Sequence, residues 1–364
     1  MMRTVWLVLM LLSGAIAHAA SFDCRKANTV REKAVCDSPD LNELDEQMAD
    51  AYKSVLADAP SRLIAEIRDG QRTWLHKLDT ACNPKDPAYV TVIGCLEIEY
   101  TARIKALQHL ILHEAGVTFI WASVELEAPA SQPDPGSSGG GRPQFGHLSA
   151  SWPQSAADTP DWKAWNTAIE AATVRVASLG INPPASSFRE ILDPDMDIDV
   201  SASIGVVGLN LVTAAIENDW DGGGIHPNED SIQFNWLLKE RRELQPEDVF
   251  RHGSGWDSYL QKQCDQYLHK TLDYDGRSYE DFMQPGEMAK TLHGIVVDPE
   301  SWGIDSQGIT IIFQTYAVAC HACTAAPLLI RWQSVQEMLN PEFVQPKEEC
   351  TARGMWDKMP SCKE

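Results

Sequence analysis

The chain has 364 residues, 44% of them hydrophobic, and its 52 acidic against 30 basic side chains give a formal charge of −22. That charge repels phosphate backbones, which excludes nucleic acid as a partner and favours a cationic protein. The composition is that of a folded chain long enough for two domains, and nine cysteines are too few for a disulfide-dense miniprotein.

Residues 1–20 begin Met-Met-Arg, continue through the apolar run Val5 to Leu12 and end Ala17-His18-Ala19-Ala20. This is the pattern of a secretory signal peptide, so the expected location is periplasmic or secreted. No later segment reaches the roughly 20 apolar residues that a membrane span needs, and none is expected to cross a membrane after signal cleavage. Ser21-Phe22-Asp23 lacks the small residues that precede a lipid-modified cysteine, so Cys24 is read as a disulfide candidate.

Residues 21–113 read as helices. Thr29-Val30-Arg31-Glu32 has the form of a capping box, which predicts a short helix ending near Cys36. Leu41, Leu44, Met48, Tyr52 and Val55 then form an apolar stripe that Pro60 stops, and Leu63, Ile67, Trp74 and Leu78 continue it. Ile93, Leu96, Tyr100, Ile104, Leu107 and Ile111 give the clearest helical period. A bundle this small is marginal alone, and Cys24, Cys36, Cys82 and Cys95 sit at its element ends. Four cysteines permit three pairings; the short separations favour Cys24 with Cys36 and Cys82 with Cys95.

Phe22-Asp23-Cys24, Glu32-Lys33-Ala34-Val35-Cys36, Leu41-x-x-Leu44-Asp45, Tyr52, Gln71-Arg72-x-Trp74-Leu75, Cys82, Cys95 and Arg103-Ile104 together resemble the N-terminal domain of the lysozyme-inhibitor LprI-like family. The resemblance covers residues 21–113 and implies an exported, disulfide-stapled helical module. It departs from the lipoprotein that names the family in lacking the lipidation signal.

Residues 114–128 are read as a strand or connector, with Val117 to Leu126 apolar in both phases. Residues 129–144, rich in Pro, Gly and Ser, are read as a linker or surface loop inserted between two strands. Trp162, Trp165, Ile169, Ala172 and Val176 predict an amphipathic helix. Met196 to Val206 alternates apolar and polar residues strictly, which predicts a strand with one buried face. Leu209 to Ile216 is its expected partner, and Ile232-x-Phe234-x-Trp236 runs back after Gly222-Gly223-Gly224. A helix through Trp256, Leu260, Cys264, Tyr267 and Thr271 follows, then strands at Ile309–Val318 and Leu328–Trp332. The expected fold is therefore mixed, a small disulfide-stapled all-α helical bundle followed by an α+β domain with an antiparallel sheet.

The segment Ile216-x5-Gly222-Gly223-Gly224-Ile225-His226-Pro227, with Leu244-x-Pro246-x-Asp248-Val249-Phe250 and Gly308-Ile309-Thr310-Ile311-Ile312-Phe313-x-x-Tyr316, resembles the extracellular domain shared by the anti-sigma factor RsiV and the deacetylase PdaC. This second resemblance covers residues 145–340 and implies lysozyme binding without the deacetylase chemistry, whose catalytic domain is absent.

Residues 21–113 carry 15 acids and 12 bases, whereas residues 114–364 carry 37 acids and 17 bases, so the acidity belongs to the second part. Asp219, Asp221, His226, Glu229 and Asp230 flank the glycine turn and are the candidate contacts for a basic partner, against the alternative that turn charges are only solvated. Cys320-His321-Ala322-Cys323 has C-x-x-C spacing, but it lacks the further ligands of a zinc site and the helix of a redox site, so a local disulfide is expected. Cys350 and Cys362, in the polar tail 341–364, are expected to pair, leaving Cys264 as a buried thiol. Trp152, Trp162 and Trp165 are read as core in preference to a sugar-stacking platform. No catalytic, cofactor-binding or metal-binding motif is visible. The expected function is an exported envelope binding protein, lysozyme-inhibitor-like and non-enzymatic, whose partner is lysozyme or another cationic protein. The alternatives are an enzyme or enzyme accessory acting on peptidoglycan and a purely structural envelope protein.

Overall fold

A computed structural model describes residues 20–61, 63–82, 91–129, 145–178, 185–222, 227–271, 285–314 and 325–346. The signal sequence, the Pro/Gly/Ser-rich segment beyond Pro129, His226, the Cys320–Cys323 pair and the Cys350–Cys362 pair lie outside the described residues. The chain divides into two compact units, Met1–Ile111 and Leu112–Glu364.

The first unit is helical: α1 (Val30–Asp37), α2 (Pro39–Asp58), α3 (Ile64–Ala81) and α4 (Val92–Gln108). Three of the four starts have a side-chain cap, and α3, preceded by Leu63, has none. The Thr29 hydroxyl accepts from Glu32 N–H at 3.1 Å and the Glu32 carboxylate accepts from Thr29 N–H at 3.0 Å, a complete capping box at the head of α1. Ser38 caps α2, with Pro39 at the first turn where its missing N–H costs nothing, and Thr91 caps α4. The helices bury Val35, Leu41, Met48, Val55, Ile67, Leu78, Leu96, Tyr100, Ile104 and Leu107 between them. Disulfides join Cys24 to Cys36 and Cys82 to Cys95, with Cα–Cα distances of 5.7 and 5.6 Å. Closing loops of this length stabilises the fold by about 3 kcal/mol each, a large share for a unit this small.

The second unit holds a seven-stranded sheet in the order β1 (Ile111–Glu114), β2 (Val117–Pro129), β3 (Phe145–Ser155), β4 (Asp197–Val207), β5 (Leu211–Asp221), β6 (Asn228–Leu237) and β7 (Arg242–Glu243). The β1–β2 turn places Ala115 and Gly116 at φ of 46° and 77°, the left-handed pair that a tight hairpin demands. Neighbouring strands are antiparallel except β3 and β4, which run parallel in the register Leu148↔Ile198 and Ala150↔Val200. The sheet is thus mixed, where an antiparallel one was expected. A parallel pair needs a crossover, and α5 (Pro160–Ala177) with the short α6 (Phe188–Ile191) supplies it. Helix α5 lays Trp162, Trp165, Ile169 and Val176 on one sheet face, against Leu148, Ala150, Ile198, Val200, Ile216 and Phe234. Trp152, Trp162 and Trp165 are all buried in this layer.

The rest of the unit builds a second core from α7 (Pro246–Val249), α8 (Trp256–Thr271), α9 (Pro285–Val297) and α10 (Trp332–Val335), with a three-stranded antiparallel sheet of β8 (Trp302–Ile304), β9 (Gly308–Ile311) and β10 (Leu328–Arg331). Leu260, Cys264, Leu292, Val296, Trp302, Ile309 and Ile311 fill it. Phe250, Trp256 and Trp302 form an aromatic trio, the first two stacked at 4.6 Å.

Candidate functional site

In the helical unit the motif residues assemble a network that fixes α2 against α4. Asp45, only 2% exposed, accepts hydrogen bonds from Tyr100 Oη at 3.1 Å and from Ser21 N–H at 2.8 Å. Burial pushes the Tyr100 phenol well above its ordinary range, with the Asp45 charge adding to the effect. Trp74 meets the Tyr100 ring edge-on at 5.4 Å, and the Arg103 guanidinium lies 5.6 Å from the Trp74 ring centroid. Arg103 Nε also donates to Gln71 Oε1 at 2.9 Å, and the Gln71 amide reaches Met48 Sδ. These residues hold the bundle together and present no reactive group outward.

What the same helices do present is a groove. Asp40, Glu43, Leu44 and Gln47, at positions i, i+3, i+4 and i+7 of α2, share one helix face, and with Glu97 of α4 they line an open depression of about 440 Å³. Leu44 forms its half-buried apolar part, and no Lys or Arg lines it among the described residues.

In the second unit the sheet face opposite α5 is acidic. Strand register places Glu125, Ser149, Asp199, Asp219 and Glu229 in one row across five strands. A neighbouring row holds Glu127, His147, Asp197 and Asp221, and another holds Ser123, Ser151, Ser201, Glu217 and Ser231. Asp199, Asp219 and Glu229 are exposed, and Glu217 is half-buried. Like charges directly opposite one another disfavour ionisation. Desolvation, followed by the charges of Glu229 and Asp199, raises the Asp219 carboxyl above its ordinary range; desolvation, then Asp219 and Glu229, raises Glu217.

Of the sequence candidates, Asp219, Asp221 and Glu229 lie on this face. Asp230 does not, because its partner is Asn218, which is buried on the other face and donates to Val176 O at 3.1 Å. Asp197, Asp199, Glu217, Glu125 and Glu127 complete the acidic rows and were not among the candidates. Their signal in the sequence is the polar phase of the alternating strand, Asp197-x-Asp199. Among the described residues no group of three His, Cys, Asp or Glu side chains is disposed to hold a metal ion. Cys264 is buried on α8, and burial, with the nearby Asp265, pushes its thiol up to about 12, which leaves it protonated and unreactive. No helix among the described residues is long and apolar enough to cross a membrane.

Fold and site together define a disulfide-stapled helical module followed by an α+β unit with an acidic sheet face. Residues 24–107 match the family model described as Lysozyme inhibitor LprI. No curated protein matches the chain. Among solved structures it is similar to a DUF3298 family member from Bacteroides fragilis, at 16% identity and a TM-score of 0.43 over 63% of this chain and 96% of that one. A DUF3298 family protein from Pseudomonas aeruginosa PAO1 gives 14% identity and a TM-score of 0.47 over 65% of this chain and all of that one.

Proposed function

We propose that the protein is an exported envelope binding protein of lysozyme-inhibitor type, which acts by protein–protein contact on lysozyme or another cationic, envelope-active protein. The observation that carries this reading is the match of residues 24–107 to the lysozyme-inhibitor model, which spans both disulfides and the Asp45–Tyr100 network. The sequence resemblance of residues 145–340 to the RsiV and PdaC extracellular domain points to the same kind of partner. Charge supports it independently: a chain of −22 carrying aligned rows of carboxylates attracts a basic protein over several ångströms. Such a field raises the association rate more than the final affinity. The test is to mix the purified protein with lysozyme, following cell-wall lysis and binding at low and at high salt. Inhibition that accompanies binding supports the proposal; absence of both at low and at high salt rejects it.

A further inference from the structure

Where α5, β7 and the 3-10 turn Pro299–Ser301 meet, three carboxylates share one guanidinium. Arg175, in the last turn of α5, binds the Glu300 carboxylate through Nη1 and places Nη2 3.6 Å from Oε1 of Glu243 on β7. Asp298 caps the turn, accepting from Glu300 N–H at 3.0 Å, and adds a third negative charge. The nearest other cations on these strands are engaged elsewhere. Arg242, next to Glu243, pairs with Asp248 of α7 at 2.7 Å, and Arg241 pairs with Asp161 of α5 at 2.7 Å. Strand β6 contributes the neutral Asn235 and Trp236, and α9 ends before the turn in the apolar Ile295-Val296-Val297.

The surplus of negative charge is held in place by contacts that carry no charge. Asn235, 3% exposed, donates to Pro299 O at 2.9 Å and to Trp302 O at 2.8 Å, which pins the turn to β6. Its own carbonyl accepts from Leu244 N–H at 2.7 Å, which fixes the chain just beyond Glu243. Helix α5 belongs to the first core of this unit through Val174 and Val176, and Trp302 fills the second, so the cluster spans the joint between them. Desolvation outweighs the attraction of Arg175, and Glu300 and Asp298 add to it, so the Glu243 carboxyl lies above its ordinary range. Desolvation, with the Glu300 charge, likewise raises Asp298.

We propose that the Arg175–Glu243–Asp298–Glu300 cluster is an acid-closed clasp, which holds β7 and the Pro299–Ser301 turn to α5 more tightly as pH falls and loosens as pH rises toward neutrality. Glu243 and Asp298 bind protons more tightly in the closed joint than in the open one, so protons favour closure between their ordinary and raised values. The advantage is fully present below the ordinary carboxylate range, where Arg175 no longer faces a surplus. It is lost as pH rises through the raised values, above which three negative charges face one positive charge. The clasp is independent of the proposed binding function, and its test needs no partner.

The experiment follows hydrogen–deuterium exchange of the intact protein at pH 5, 6 and 7, corrected for the intrinsic pH dependence of amide exchange, in peptides covering 242–250 and 296–304. It compares the wild type, Glu243→Gln, Glu243→Gln/Asp298→Asn and, as a control in the acidic rows, Asp219→Asn. Asparagine keeps the capping role of Asp298. In the wild type, opening of both segments should become rarer by a factor of about three from pH 7 to pH 5, the scale of partly exposed charge pairs. Glu243→Gln should shrink that response, and the double variant should abolish it, with the protection of pH 5 already present at pH 7. Asp219→Asn should keep the wild-type response. If the double variant does not fold, Glu243→Gln alone decides, since the neutral isostere removes only the charge at a half-buried position. An undiminished response in the Glu243 variants, opening that increases toward acid in the wild type, or a response that Asp219→Asn abolishes would each overturn the clasp.

Discussion

Replacing Asp219 by Asn should make the second unit more stable at neutral pH, although it removes a charged surface residue. Asp219 is directly opposite Asp199 on β4 and Glu229 on β6, and it is exposed. A like-charged cross-strand pair costs roughly 0.2–1 kcal/mol, and exposure places both pairs toward the low end, so removing them stabilises by about 0.5–1 kcal/mol. For a unit of this size that is a rise in Tm of roughly 1–4 °C. The pH dependence follows from linkage. The raised Asp219 carboxyl holds its proton more tightly in the folded than in the unfolded chain, so the folded state carries more protons between the ordinary and the raised values. Stability therefore falls as pH rises through that window, and the cost is fully present above it. The gain from Asp219→Asn should be complete at pH 7 and vanish near pH 3, where both states are protonated, and added salt should shrink it. Tryptophan fluorescence is a suitable probe because Trp152, Trp162, Trp165 and Trp236 all lie in the core beneath this sheet. A substitution that lowers Tm at pH 7, or raises it equally at pH 3 and pH 7, would refute the electrostatic account.

Three further outcomes are expected. Cys24→Ser/Cys36→Ser should lower the stability of the helical unit by about 3 kcal/mol, seen as an earlier urea midpoint in far-UV circular dichroism, with the tryptophan transition of the second unit unmoved. Tyr100→Phe removes the hydroxyl that donates to buried Asp45 and should cost about 1–3 kcal/mol in the same assay; an unchanged midpoint would show that the network does not support the bundle. A Cβ at position 146 would lie 2.0 Å from the Asp193 carbonyl oxygen, so Gly146→Ala must displace the backbone that leads into β4. It should lower the fluorescence-detected Tm by several degrees, corresponding to roughly 1–3 kcal/mol.

Much of the architecture was legible because the helices and the central strand follow their periods without interruption. The α4 stripe Leu96, Tyr100, Ile104 and Leu107 is buried as its spacing implies, and β4 alternates from Ile198 to Val206 as written. Ile93 kept the helical spacing but stands exposed in the first turn, since hydrophobic period reports a face and not its depth. Leu209, read as opening the partner strand, is 91% exposed in the turn before Leu211. The residues of strand β3 were not assigned because Phe145–Ser155 holds three Ser, a Gly and an Ala and contains Pro153. The structure accommodates that proline because the pairing of β3 with β4 ends at Ser151, so position 153 faces only β2. A strand was expected after the linker, but leaving its residues unassigned hid the parallel joint and the crossover role of α5. The acidic turn residues were visible as a local cluster, but the rows were not, because they arise from register between strands far apart in sequence. Register likewise separates Asp230 from Glu229, since adjacent strand residues point to opposite faces.

The proposed function is contact inhibition of a cationic, envelope-active protein. The most direct measurement is a titration of lysozyme with the purified protein, recording binding and residual lytic activity together across a range of salt concentrations. Saturable binding and loss of lytic activity are expected at the same midpoint, with association slowing as salt rises. Full lytic activity with no detectable complex, even at low salt, would contradict it.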